Sequence, residues 1–207
     1  MTETYDLIVL GGGRAANLAI AASKAGWKTV LIERDQLGGT CPNRGCVPSK
    51  LLIGFADAAR HARNAGRHFI HADFQGVDLQ KIFDSVNQYV GGVDGRYEDR
   101  VNAAGVTLIR GEGRFTGQKQ IEVSGRTLTA ERIVVATGSR PSPPPFAHLP
   151  VWTSDDLFPL ESTPPKSLIV IGGGVIGCEM AAFFAAVGVE TSLFVRGDRL
   201  LKKEDKQ

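Results

Sequence analysis

The chain has 207 residues, 43% hydrophobic and 22% charged, with 24 basic against 22 acidic side chains for a formal charge of +2. That balance excludes wholesale disorder, and it excludes binding to nucleic acid or a membrane surface by charge alone. The 25 glycines cluster instead of repeating, three cysteines are too few for a disulfide-stapled secreted scaffold, and no apolar run nears the ~20 residues a bilayer needs. The first residues show neither a basic region nor an apolar core, so the expected location is cytoplasmic, with no cleaved secretory signal.

Residues 5–10 (YDLIVL) form a short apolar run of the kind buried on both faces of a parallel sheet. Gly11, Gly12 and Gly13 follow, then an Ala-rich, helix-favouring stretch over 14–25, with Gly26 placed for a left-handed cap. Residues 28–32 give a second strand ending at Glu33, which completes a βαβ unit. A small-residue and proline stretch over 37–49 carries Cys41 and Cys46, and 50–65 reads as a helix. Between 79 and 101, apolar residues recur at steps of three and four, a helical stripe that Gly91 and Gly92 interrupt. Short β-branched runs split by glycine over 106–130 predict a small antiparallel meander, and 133–136 (IVVA) a further buried strand leading to Thr137 and Gly138. Pro141, Pro143, Pro144, Pro145 and Pro150 mark a stiff connector and a domain boundary. A second βαβ unit then begins: a strand over 167–171, a glycine loop at 172–177, a helix to Val187 and a strand over 190–195. The two units read as an internal duplication of a nucleotide-binding half.

A glycine turn between strand and helix brings backbone amides to a pyrophosphate, and the helix N-terminus favours the negative charge. The first loop reads Gly11-x-Gly13-x-x-Ala16, and Glu33 stands about 20 positions on, where a carboxylate accepts the ribose hydroxyls. The second loop is fuller, Gly172-x-Gly174-x-x-Gly177. Glu33 lies seven residues past the capping Gly26, and the same count past Gly188 reaches Val195, so the acid is missing, and the cations Arg196, Arg199 and Lys202 follow. Cations at this place suit a 2′-phosphate, which favours NADPH over NADH, although charges after a strand are also ordinary surface features.

The most specific stretch is Gly38-Gly39-Thr40-Cys41-Pro42-Asn43-Arg44-Gly45-Cys46-Val47-Pro48-Ser49-Lys50. Two cysteines so spaced can close a small disulfide loop, which as a brace would contribute only about 2 kcal/mol. In a cytosolic protein a disulfide is more often a redox centre than a brace. Zinc would need further ligands, and Cys178 lies inside a predicted helix without a His partner at metal spacing, so no metal is expected. Cys178 itself reads as a small core residue. Lys50 and the start of the following helix favour the thiolate, the species that attacks a disulfide.

Two dinucleotide loops bracketing GGTCPNRGCVPSK, with ATGSRP at 136–141, resemble the flavin-dependent pyridine nucleotide–disulfide oxidoreductases along essentially the whole chain. That family includes dihydrolipoamide dehydrogenase, glutathione reductase, mycothione reductase and mercuric reductase. The resemblance implies an α/β protein: a Rossmann-like FAD-binding domain with a parallel sheet and small meander over 1–145, a linker over 146–166, and the start of a Rossmann-like NAD(P)-binding domain over 167–207. A lone βαβ unit cannot bury both faces of its sheet, so that second domain reads as incomplete.

By the same resemblance, Gly11, Gly13, Glu33, Gly39, Thr40, Gly113, Thr137 and Gly138 hold FAD, and Gly172, Gly174, Gly177, Arg196 and Lys202 hold NADPH. Cys46 faces the flavin and Cys41 attacks substrate. Lys50, buried beside Glu179, stabilises reduced flavin. Electrons pass from NADPH through FAD to the Cys41–Cys46 disulfide, then to a small disulfide or a protein-bound lipoyl group. The full-length form is expected to be a homodimer. The alternative is a truncated nucleotide-binding fragment without turnover. Arg14 and Ala15 depart from the small or proline residues usual after the third glycine. The substrate signals also conflict: Pro48-Ser49-Lys50 resembles lipoamide dehydrogenases and mercuric reductases, whereas Val195-Arg196 resembles glutathione reductase. The family's catalytic His–Glu pair belongs to a C-terminal domain, and His61, His68, His71 and His148 lack its context and read as surface or satisfied residues.

Overall fold

The uninterrupted apolar run near the N-terminus becomes the inner half of β1 (Thr2–Leu10), where Leu7, Ile8, Val9 and Leu10 are all buried. This computed structural model describes residues 2–144, 148–160 and 163–202; Pro145 of the connector and the charged residues 203–207 lie outside the described residues. α1 (Ala16–Lys24) and β2 (Thr29–Glu33) complete the first βαβ unit. Then come α2 (Thr40–Arg44), α3 (Cys46–Arg63), α4 (Leu79–Gly91), α5 (Val93–Ala103), β3 (Thr107–Arg110), β4 (Arg114–Gly117), β5 (Gln120–Val123) and β6 (Arg126–Val135). The second βαβ unit is β7 (Ser167–Ile171), α6 (Val175–Ala186) and β8 (Glu190–Phe194).

Two compact units result, one joining Met1–Arg44 to Val90–Ala147 and the other joining Gly45–Tyr89 to His148–Gln207. Within the second of these, α3 packs on α6.

The first unit is mixed α/β around a mostly parallel six-stranded sheet of order β3-β2-β1-β6-β5-β4, the architecture of a Rossmann-like FAD-binding domain. β1 pairs parallel with β2 and β6, β2 pairs parallel with β3, and β4, β5 and β6 form the antiparallel part. The pleat sends alternate residues to opposite faces. Ile8, Leu10, Val30, Ile32, Ile109 and Ile121 fill one face, and Leu7, Val9 and Leu31 fill the other with Ala16 and Ala19 of α1 and Val101 of α5. Each fully buried Ile or Leu there contributes roughly 1.5–3 kcal/mol.

Three sequence expectations change. Residues 106–110 do not join the meander: β3 pairs parallel with β2, a long-range choice that local periodicity does not encode. Residues 133–136 are neither a separate strand nor buried, since β6 runs unbroken from Arg126 and Val135 is 58% exposed. β5 pairs only with the first four residues of β6, so its last residues have β1 alone as a strand neighbour among the described residues. The helical stripe over 79–101 breaks at Gly92 into α4 and α5, where the glycine pair interrupts it. Finally, α3 starts at Cys46 rather than residue 50.

In the second unit the fully buried rings of Phe83, Phe183 and Phe184 form an aromatic cluster, with centroids 5.0–6.1 Å apart. Arg63 donates to the Ala186 carbonyl at the end of α6 (3.1 Å), and the Asn87 amide exchanges two hydrogen bonds with the Leu160 backbone (3.0 and 3.1 Å). β7 and β8 pair parallel, and Ile169, Ile171 and Phe194 stay more than half exposed. Among the described residues no helix is long and apolar enough to cross a membrane.

The open end of β1 is tied by Arg126, whose guanidinium donates to both oxygens of Glu3 (2.8 and 2.7 Å). These bonds hold the Glu3 carboxyl at about 2, below its usual 4.5, and the Tyr5 hydroxyl adds a third bond (3.1 Å). A depressed carboxyl stabilises the fold above its unfolded value and loses that contribution as pH falls toward the folded one. The melting temperature of the wild-type protein should therefore exceed that of Glu3→Gln near neutral pH, and the gap should close between pH 4.5 and 2. A gap constant across that range would contradict this assignment.

Candidate functional site

Because β1, β2, β3 and β6 run parallel, their C-terminal ends share one edge of the sheet, the place where open α/β sheets bind ligands. The chain turns there at Gly11, whose N–H donates to the Ile32 carbonyl (2.8 Å). Gly11 has φ +110°, and a Cβ on it would run into the Ala136 carbonyl. A side chain is thus barred on both counts. The first turn of α1 carries no side-chain cap, and its Ala16, Asn17 and Leu18 N–H groups donate to the Gly13, Arg14 and Ala15 carbonyls, so the helix start follows directly on the bare glycine turn. Glu33 accepts from Gly12 N–H (2.6 Å) and from Asp35 N–H (2.8 Å). Each carboxylate oxygen keeps a lone pair for a ribose hydroxyl.

The Gly39 backbone packs on Gly13, Thr40 opens α2 with an exposed side chain, and the exposed Thr137 follows β6 with its nitrogen beside Gly11. Gly138 is exposed one residue further on. Gly11, Gly13, Glu33, Gly39 and Thr137 therefore converge, and the cradle of bare backbone plus carboxylate fits the ADP half of a dinucleotide such as FAD. A Cβ on Gly113 would press on Leu10 (2.7 Å) and on Ile121 and Ile32, so core packing by itself calls for a glycine there.

The cysteine segment hangs from this loop. Gly38 N–H donates to the Gly12 carbonyl (2.9 Å), and the adjoining Leu37 is fully buried. Leu37 N–H donates to Asp94 (2.6 Å), while its carbonyl accepts from the Asn43 amide (2.8 Å), which also donates to the Gly39 carbonyl (2.9 Å). Arg110 secures the outer side, bonding the Asp35 carbonyl (2.8 Å), both Asp94 oxygens and Glu98 (2.6 Å). Cys41 is half-buried in α2, and Cys46 is exposed as the first residue of α3. Asn43, Asp94 and Arg110 escaped the sequence reading. The only signal for Asn43 was an amide between the two cysteines, and its 2% exposure had to come from the fold.

The second unit repeats the turn: Gly172 N–H donates to the Phe194 carbonyl (2.8 Å), as Gly11 does to Ile32. Gly174 precedes α6, and a Cβ on Gly177 would run into the Gly172 carbonyl. Matching the two turns sets Val195 in the place of Glu33, and the exposed Arg196 follows. Lys202 pairs with Asp198 (2.9 Å), a partner the sequence reading did not assign, and Arg199 donates to the Lys202 carbonyl (2.7 Å). Asp198 is held below the usual carboxylate range, mainly by the Lys202 hydrogen bond. Cys178 is half-buried, its thiol directed at the Gly173 carbonyl (3.7 Å).

Lys50 and Glu179 form an ion pair, but Lys50 is 61% exposed, which corrects the expectation that it is buried. It extends from the first turns of α3, where its long side chain reaches Glu179 with its stem in solvent. His61, His68, His71 and His148 are all exposed. Among the described residues, no group of three or more His, Cys, Asp or Glu could hold a metal ion.

Replacing Gly11 by Ala should cost about 1–3 kcal/mol of stability, given the forbidden φ, and should strip flavin during gel filtration. Urea unfolding and the flavin-to-protein absorbance ratio measure the two effects; full flavin retention would remove this loop from the cofactor site.

The model of the family described as pyridine nucleotide-disulphide oxidoreductase matches residues 5–207. A dihydrolipoyl dehydrogenase of Chlamydia pneumoniae is 36% identical over 215 residues, covering 100% of this chain and 46% of the relative. A mercuric reductase of Bacillus cereus is 36% identical over 97% of this chain and 32% of its own length. A glutathione reductase of Schizosaccharomyces pombe is 36% identical over 99% and 46%. The chain thus spans about half the length, or less, of the curated relatives it matches. With its two glycine turns and its paired cysteines, the chain belongs to the pyridine nucleotide–disulphide oxidoreductase family.

Proposed function

We propose that this chain, within a longer polypeptide, binds FAD along the first glycine turn and NADPH along the second, and reduces a disulfide through Cys41 and Cys46. The observation that carries this reading is the Gly38–Gly12 hydrogen bond (2.9 Å), which joins the segment bearing Cys41 to the dinucleotide turn. Bound FAD would supply the two-electron relay between the nicotinamide and the cysteine pair. Gly11, Gly13, Gly39 and Thr137 would cradle it with backbone, and Glu33 would accept its ribose hydroxyls.

The chain's own chemistry is thiol–disulfide exchange. The Cys41 thiolate attacks one sulfur of the substrate, forming a mixed disulfide and expelling the other sulfur as a thiolate that takes up a proton. The Cys46 thiolate then attacks Cys41, closing the Cys41–Cys46 disulfide and releasing the second thiol. Two electrons leave the dithiol and two protons accompany them to the products. The Lys50–Glu179 ion pair would keep a cation near the cysteine-bearing end of α3. Substrate candidates are a small disulfide and a protein-bound lipoyl group, in keeping with the names of the relatives.

Cys41→Ser and Cys46→Ser should each abolish NADPH-driven disulfide reduction in the full-length protein, and unchanged turnover in either variant would remove the mechanism. Val195 in the place of Glu33, followed by Arg196, supports NADPH over NADH. Arg196→Ala should raise the KM for NADPH by about tenfold or more, the loss of one charge-assisted hydrogen bond, and leave the KM for NADH unchanged. An equal change for both nucleotides would contradict this preference.

A further inference from the structure

Asn43 lies between the two cysteines and is 2% exposed, a burial unusual for a polar side chain. Its amide nitrogen faces two carbonyls, those of Leu37 and Gly39, at 2.8 and 2.9 Å. That pair fixes the orientation of the amide, because the opposite flip would set oxygen against oxygen. The side-chain oxygen is left buried without a hydrogen-bond partner. Leaving a buried acceptor unpaired costs on the order of 1–3 kcal/mol, so the position is not optimised for stability. An aspartate would turn its charge on the same two carbonyls, and a leucine of similar size would leave both without a donor. The position therefore needs the NH₂ donor pair to satisfy both carbonyls, at the cost of one unpaired oxygen.

What those donors hold is specific. Leu37 and Gly39 flank Gly38, which closes on Gly12, and Gly39 packs on Gly13. Asn43 sits two residues after Cys41 on the same short helix. We propose that Asn43 is a positioning residue for Cys41, its amide clamping α2 to the loop that closes over the first glycine turn. The inference rests on Cys41 and Cys46 being the exchanging pair. Releasing the clamp lets α2 open locally, and a half-buried thiol reacts in proportion to the population of that open state.

The test compares alkylation of reduced cysteines by iodoacetamide in the full-length protein, each site followed by peptide mass spectrometry. Cys178, half-buried in the second unit, is the internal control. Losing two hydrogen bonds should speed Cys41 alkylation about five- to thirtyfold in Asn43→Leu, with Cys178 changing by less than about twofold. Asn43→Gln keeps the same donor group on a longer arm and should restore part of the difference. Unchanged Cys41 rates in both variants overturn the proposal, as does equal acceleration of Cys41 and Cys178, which reports global unfolding. Should Asn43→Leu fail to fold, the same two rates in Asn43→Gln decide. Equilibrating the wild-type protein in glutathione buffer tests the underlying reading separately: absence of a Cys41–Cys46 disulfide there would sink the exchange mechanism while the alkylation ratio still judged the clamp.

Discussion

The structure of the first unit turns on one backbone approach, the Gly38 N–H on the Gly12 carbonyl. A single hydrogen bond contributes only about 1 kcal/mol net, so this contact cannot hold the cysteine segment alone. It is reinforced by the complete burial of Leu37, whose N–H and carbonyl are each taken by a side chain, Asp94 on one side and Asn43 on the other. Burial supplies most of the energy, and the two polar partners remove the penalty that the buried peptide groups would otherwise carry. The result is a loop whose position is fixed at three points, and the glycine turn and Cys41 share it.

Electrostatics supports the same loop from outside. Burial works against the charge of Arg110, but the hydrogen bonds it donates to Asp94 and Glu98 outweigh it and raise the guanidinium above its ordinary value. That cation links the end of β3, the Asp35 carbonyl and α5. Arg44 binds the Asp35 carboxylate (2.7 Å) at the last residue of α2. These pairs are a third or more exposed and contribute modestly one by one. Their value lies in geometry, since they bond the backbone of the turn that precedes the cysteines.

The two βαβ units solve one steric problem twice, with different outcomes at the nucleotide end. In each, a strand ends on a glycine whose N–H returns to the carbonyl closing the next strand. The residue after that carbonyl is Glu33 in the first unit and Val195 in the second. A carboxylate can pair with two ribose hydroxyls but repels a phosphate, and a valine does neither. The duplicated backbone thus repeats one turn, and the side chain that follows it is charged in the first unit and apolar in the second.

Much of this was legible in the residues themselves. The run at 5–10, the glycine turns, Glu33 and the spacing of Cys41 and Cys46 follow from local chemistry, because a strand, a tight turn and a helix start are each encoded within a few neighbouring positions. The pairing of β3 with β2, the exposure of Val135 and Lys50, and the fact that packing explains Gly113 depended on residues distant in sequence. Asn43 shows the division most clearly. The sequence by itself determined that an amide would lie between two cysteines beside a dinucleotide turn. Only the tertiary structure decided that it would be buried with its donors on Leu37 and Gly39, because burial and hydrogen-bond partners are set by what the chain folds back to meet.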